Sequence, residues 1–120
     1  MSKIALGIDI NKAKFDVALL LNNKVKTKKL DNNSSGFLEL VQWLNKKEID
    51  IQMLHVCMEA TGRYGDALAN YLFTNGYQVS VVNPARIKGF SQSELSRNKT
   101  DKADAQLIAR FCQAMNPVLW

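Results

Sequence analysis

Histidine occurs once in this 120-residue chain and cysteine twice. Two cysteines, Cys57 and Cys112, are too few for a disulfide scaffold and have no metal-ligand spacing, so the chain reads as carrying reduced thiols in a cytoplasmic setting. His55 falls in mid-strand, where a structural role is simpler than a catalytic one. Cys57 lies two residues away with no further partner in sequence for a metal site. No apolar run approaches the ~18 residues that a membrane span requires. Asp9 interrupts the first apolar stretch too early for a secretory signal, so no membrane partner is expected. A Gly-rich strand-to-helix turn is also missing, because Asp9 is followed by INKAKFD. This counts against a dinucleotide-binding fold. There is no internal repeat and no low-complexity tract.

What is present describes one compact domain over residues 1–120. Apolar residues make up 47% and charged residues 22%, an ordinary globular balance. Sixteen Lys and Arg against eleven Asp and Glu leave a net charge of +5, which permits a polyanionic partner without requiring one.

Periodicity gives the elements. Ile4 to Ile8, with Ile10 beyond Asp9, form an apolar run, and Phe15, Val17, Leu19 and Leu21 alternate through a second. A short connection at Asn11 to Ala13 fits a hairpin, and Asn22-Asn23 fits a second tight turn. A third run places Lys24, Lys26 and Lys28 on one face, with Val25, Thr27 and Lys29 on the other. The period then changes. Phe37, Leu40, Val41 and Leu44 form a helical stripe, with Ser34 and Ser35 as candidate caps. Met53 to Met58 is nearly continuous apolar sequence, as in a parallel strand covered on both faces. Tyr64, Ala67, Leu68, Tyr71 and Leu72 predict a helix that ends near Gly76. Tyr77 to Val82 reads as a strand, Pro84 opens a short helix, residues 91–99 read as a mobile basic loop, and residues 100–115 as a last helix. The order β-β-β-α-β-α-β-α predicts an α/β fold of ribonuclease H-like type. Its mixed five-stranded sheet has three antiparallel strands, then alternating helices and parallel strands, with helices on both faces.

Four carboxylates stand out by position. Asp9 lies inside an apolar strand, where a charge is costly unless compensated; alternatively it satisfies turn N–H groups. Glu59 ends the most apolar strand, at the end where ligands gather in open α/β sheets, or else it simply leaves the sheet into solvent. Asp101 and Asp104 open the last helix, where acidic residues suit the helix dipole and Asp101 can serve as the cap. At about 100° per residue they also bracket the stripe of Ile108, Phe111 and Met115, so both are expected to face the sheet. Four converging carboxylates suit Mg²⁺ or Mn²⁺, as one ion or two, and such ions support phosphodiester displacement.

The segments GIDINKAKFDVALL, MEATGRYG, VVNPARIKGFSQSE and NKTDKADAQLIARF resemble, in order and over nearly the whole chain, the N-terminal domain of DEDD-type insertion-sequence transposases. This family includes the bridge-RNA-guided recombinases, and its catalytic domain resembles the RuvC Holliday-junction resolvase. The resemblance implies that Asp9, Glu59, Asp101 and Asp104 are the catalytic, metal-binding acidic residues. It further implies DNA (transposon ends and target) as substrate, a guide RNA as a possible partner and a homo-oligomeric full-length form acting on the nucleoid of a bacterial or archaeal cell. Family members continue into a second domain with a catalytic serine, which nothing here resembles. The chain is therefore expected to be a fragment that is inactive alone as a recombinase.

Basic and aromatic residues supply a candidate nucleic-acid surface. Arg63 and Tyr64 follow Glu59 closely and can contact a phosphate and stack on a base, or form a turn with Tyr64 packed inward. Residues 86–102 hold Arg86, Lys88, Arg97, Lys99 and Lys102 against two acids, a net of +3, and run into the acidic site. The lysines of the third strand are read as edge protection. Two other functions fit the residues less closely. One is a structured-RNA or DNA-binding module without catalysis; the other is a phosphotransferase of the actin and sugar-kinase type, whose phosphate hairpin needs glycine that DINKAKFD lacks.

Overall fold

A computed structural model describes residues 4–22, 24–60, 62–93 and 104–120. Three strands open the chain: β1 (Ile4–Ile10), β2 (Lys14–Leu21) and β3 (Lys24–Asp31). The first connection is closed by Asn11, whose side chain accepts from the Ala13 and Lys14 amides at 3.0 and 2.8 Å. The second bends through Asn22, at a left-handed φ of 53°. Asparagine tolerates this region because its short polar side chain bonds locally. Helix α1 (Ser34–Lys46) follows. Its cap is Asn33, which accepts from the Gly36 amide at 2.9 Å, so the capping role expected of Ser34 and Ser35 falls one residue earlier.

The chain then alternates through β4 (Leu54–Glu59), a single 3₁₀ turn (Gly62–Gly65), α2 (Asp66–Thr74), β5 (Gln78–Val82), α3 (Pro84–Ser93) and α4 (Ala105–Met115). Residues 91–93 belong to α3, not to a loop, and 94–99 lie outside the described residues. The last helix starts later than the periodicity predicts. Asp104 has extended backbone (φ −119°, ψ 176°), and its carboxylate accepts from the Leu107 amide at 2.8 Å, so it is the cap of α4.

The sheet order is β3-β2-β1-β4-β5, antiparallel among β1 to β3 and parallel from β1 through β4 to β5. This is the mixed five-stranded sheet of the ribonuclease H-like class. Strand alternation divides the core between its two faces. Leu6, Ile8, Val56 and Met58 pack with α1 and α2 residues such as Leu40, Leu44 and Leu68. Ala5, Cys57 and Val82 pack on the opposite face with Ile87 of α3 and Leu107, Ile108 and Phe111 of α4. Gly7 sets how closely α4 approaches: a Cβ there would overlap the Ala105 carbonyl oxygen and the Ala109 amide. Cys57 and Cys112 are paired as a disulfide, with Cα atoms 5.9 Å apart, which corrects the expectation of two separate thiols. Strand 57 and helix 112 meet because α4 lies directly on β1 and β4, a contact that sequence spacing does not report.

Candidate acidic metal site

The site forms where β1, β2 and β4 end beneath the start of α4. Gly7 of β1 pairs with Cys57 of β4, and Ile8 with Met58, so Asp9 and Glu59 are the next residues of two adjacent parallel strands. Both share the parity of Ala5, Gly7 and Cys57 and therefore face α4. Asp9 and Glu59 are each half-buried. Burial holds the Glu59 carboxyl above its ordinary value, and the neighbouring Asp9 charge raises it further. Two carboxylates brought together at a partly desolvated strand end repel each other, and a hard divalent cation relieves that repulsion. The donor chemistry thus fits Mg²⁺ or Mn²⁺.

Asp104 enters from above. The next residue, Ala105, touches Gly7, two positions before Asp9 on β1. Asp104 thus stands at the same end of the sheet, but on the exposed cap of α4 and not along its inward stripe. One of its oxygens serves the Leu107 amide. The capping role expected of Asp101 is therefore filled by Asp104. Asp101 itself, with Arg97, Lys99 and Lys102, lies outside the described residues.

Asp16 is an acid that sequence reasoning missed. It pairs with Asp9 across the β1–β2 hairpin, on the same face, and forms an ion pair with Lys29 of β3 at 2.9 Å. Asp16, Asp9 and Glu59 thus lie in a row on three neighbouring strands. The signal was present in the hairpin: a turn centred on residues 12 and 13 places 9 opposite 16. Asn32 was missed as well. Its side-chain amide donates to the carbonyls of Asn11 and Tyr64, each at 3.0 Å, and so ties the hairpin turn to the 3₁₀ turn after Glu59.

The described basic candidates divide. Arg63 is exposed on the 3₁₀ turn, and Tyr64 is 41% exposed, which excludes the reading of Tyr64 as a core residue. Gly62 adopts φ 71° with open space at its Cβ position, so the turn itself requires this glycine. Arg86 stacks over Phe111 of α4 at 5.3 Å, and Phe111 also meets Phe90 edge-on, so Arg86 helps to dock α3. Lys88 is exposed.

Glu59 carries a pH prediction. Its raised pKa means that the folded chain binds this proton more tightly than the unfolded chain. Its contribution is favourable below the unfolded value and is lost as pH rises through the folded value. Glu59→Gln should therefore raise the thermal midpoint at neutral pH, and the gain should vanish near pH ~4, where the wild-type carboxyl is protonated in both states. Midpoints measured across that range check it.

A model of a transposase family, the DEDD transposases of IS110 type, matches residues 6–118. The chain is 40% identical over 120 residues to the pilin gene-inverting proteins of Moraxella lacunata and Moraxella bovis, and spans 37% of the length of each. Among solved structures it is similar to Thermus thermophilus RuvC in complex with a Holliday-junction substrate, with a TM-score of 0.59 at 14% identity over 95% of this chain and 96% of that one. YeaZ from Pseudomonas aeruginosa aligns with a TM-score of 0.52 at 14% identity, over 78% of this chain and 50% of that one. These structural likenesses concern the fold.

Proposed function

Since the chain belongs to the IS110-type DEDD transposases, we propose that it is the metal-dependent catalytic domain of a DNA transposase or recombinase. The observation that carries this reading is the meeting of Asp9 and Glu59 at the ends of two parallel strands, close enough that each charge opposes the other. Asp9 and Glu59, with Asp104 and Asp101, are the residues that would hold Mg²⁺ or Mn²⁺, which when bound supplies Lewis acidity at phosphodiester oxygens. The chain's own residues do the rest. The acidic row attracts the cation. Lys29 neutralises Asp16, so the row's outer end does not add to repulsion of the phosphate. Asn32 fixes the two loops that flank the row. Arg63 and Lys88, exposed near that end, would contact the phosphate backbone, with Arg86, Arg97, Lys99 and Lys102 extending the track and Tyr64 offering a ring for a base.

The finer parts of this reading follow from the family resemblance: transposon ends and target as the DNA, a guide RNA, a homo-oligomer, and a second domain whose serine completes the site. A cytoplasmic location is consistent with it. No described helix is long and apolar enough to cross a membrane. The test joins this chain to the remainder of its reading frame and incubates it with DNA carrying the element ends. Strand cleavage with Mg²⁺ and none with chelator is expected; cleavage indifferent to chelator overturns the metal role.

The basic track has its own prediction. Arg63→Glu with Lys88→Glu should weaken DNA binding at low salt and flatten the dependence of log K on log[salt] by about 0.9 for each phosphate that is no longer neutralised. Mn²⁺ binding should not change. Titrations at several salt concentrations read the slope.

A further inference from the structure

The acidic row is not the only donor cluster. His55, Cys57 and Cys112 are all buried on the α4 face of the sheet, and their ligand atoms lie within 4.8 Å of one another. His55 Nε2 stands 4.0 Å from Cys57 Sγ, and Cys112 Sγ approaches the His55 carbonyl at 3.5 Å. The imidazole is held by a second layer. Ser80 Oγ donates to the Val118 carbonyl at 2.8 Å, so at 2.7 Å from His55 Nε2 it acts as acceptor for the ring N–H. Hydrogen-bonded outer partners of this kind fix a metal-ligating histidine in orientation and tautomer.

We propose that in the reduced chain His55, Cys57 and Cys112 form a soft-metal site that takes Zn²⁺. A disulfide is the exception in a reducing compartment, so the two sulfurs there are thiols or metal-bound thiolates. Two thiolates and a neutral imidazole around a divalent cation sum to zero charge, which a fully buried position requires. Nitrogen and sulfur donors are the set zinc prefers, and three protein ligands are enough to hold it. The hard oxygen donors of the acidic row select a different class of ion. Disulfide and metal exclude each other, because the same sulfurs serve both. Zinc here is structural: it ties the strand that ends in Glu59 to the helix that Asp104 caps, and so holds the frame of the acidic row without taking part in its chemistry.

Conversion between the two states balances. A phosphine attacks one sulfur and the S–S bond breaks. Water supplies the oxygen of the phosphine oxide and the protons of the two thiols. Zn²⁺ then displaces both thiol protons to solvent. The test compares the phosphine-reduced chain with the same chain kept oxidised, each incubated with Zn²⁺ and passed through gel filtration. The reduced chain is expected to retain one Zn²⁺ and to melt at a higher temperature with zinc than without, while the oxidised chain retains none. Co²⁺ in place of Zn²⁺ should give the reduced chain a thiolate-to-cobalt charge-transfer band. Asp9→Asn should retain the metal and Cys112→Ala should lose it. The oxidised wild type gives the same comparison without a core substitution. Equal zinc in reduced and oxidised chains, a cobalt complex without the charge-transfer band, or retention that depends on Asp9 would each overturn the proposal.

Discussion

Asp9→Asn, introduced into the full reading frame, is expected to reduce metal-dependent DNA cleavage by at least about 100-fold, the upper end of what losing an outer partner of a metal site costs. The substitution is nearly isosteric. It removes one charge from a carboxylate pair and leaves a hydrogen-bonding side chain at the end of β1. It also relieves the repulsion that raises the Glu59 pKa, so the domain should melt no lower than wild type. The combination is diagnostic: activity collapses while stability holds or improves. A purely structural Asp9, satisfying turn amides, gives the opposite pattern, with stability falling and activity falling only in proportion. Cleavage rates and melting curves on the same preparation separate the two.

Gly7→Ala is the second large effect, and it acts on the frame. The added methyl would collide with backbone atoms of Ala105 and Ala109, which cannot rotate aside as a side-chain end can. Relief requires α4 to lift from the sheet, disturbing the packing of Leu107, Ile108 and Phe111 on the β1–β4 face. Overpacking of this kind costs about 3 kcal/mol, which corresponds to a fall of about 12 °C in the midpoint for a domain of this size. Lifting α4 also carries Asp104 away from Asp9, so Mn²⁺ binding should weaken with stability. Gly89→Ala is the matched control. Its Cβ meets open space on α3, and the change should be neutral or stabilising by roughly 0.5–1 kcal/mol. Thermal melts of the two variants test whether close approach, and not glycine content, fixes α4.

The pattern of residues announced most of this architecture. Alternation in Phe15, Val17 and Leu19 marked β2, and the stripe of Phe37, Leu40 and Leu44 marked α1, because each element buries one face and local periodicity records which. The acids at strand ends were legible for the same reason: Asp9 and Glu59 interrupt apolar runs. What local pattern does not record is pairing across the chain. Asp16 looks like an ordinary outward residue until β2 folds back on β1 and sets it opposite Asp9. Cys57 and Cys112 stand 55 positions apart and meet only because Gly7 lets α4 sit on the sheet. The start of α4 was misplaced because Thr100 to Asp104 is compatible with a helix by composition, whereas the extended backbone of Asp104 and its bond to the Leu107 amide fix the start at Ala105. Asn32 carried no signal, since an asparagine between a strand and a helix has many uses and its two carbonyl partners lie 21 and 32 residues away.

The central claim is that the ends of β1 and β4 form a hard-cation site, and Mn²⁺ binding to this domain tests it most directly. Mn²⁺ titrated into wild type and Asp9→Asn at neutral pH, followed by the loss of the free-ion electron paramagnetic resonance signal, should give saturable binding to wild type that Mg²⁺ competes away. Asp9→Asn should bind at least about tenfold more weakly. Identical curves for the two chains would contradict the account.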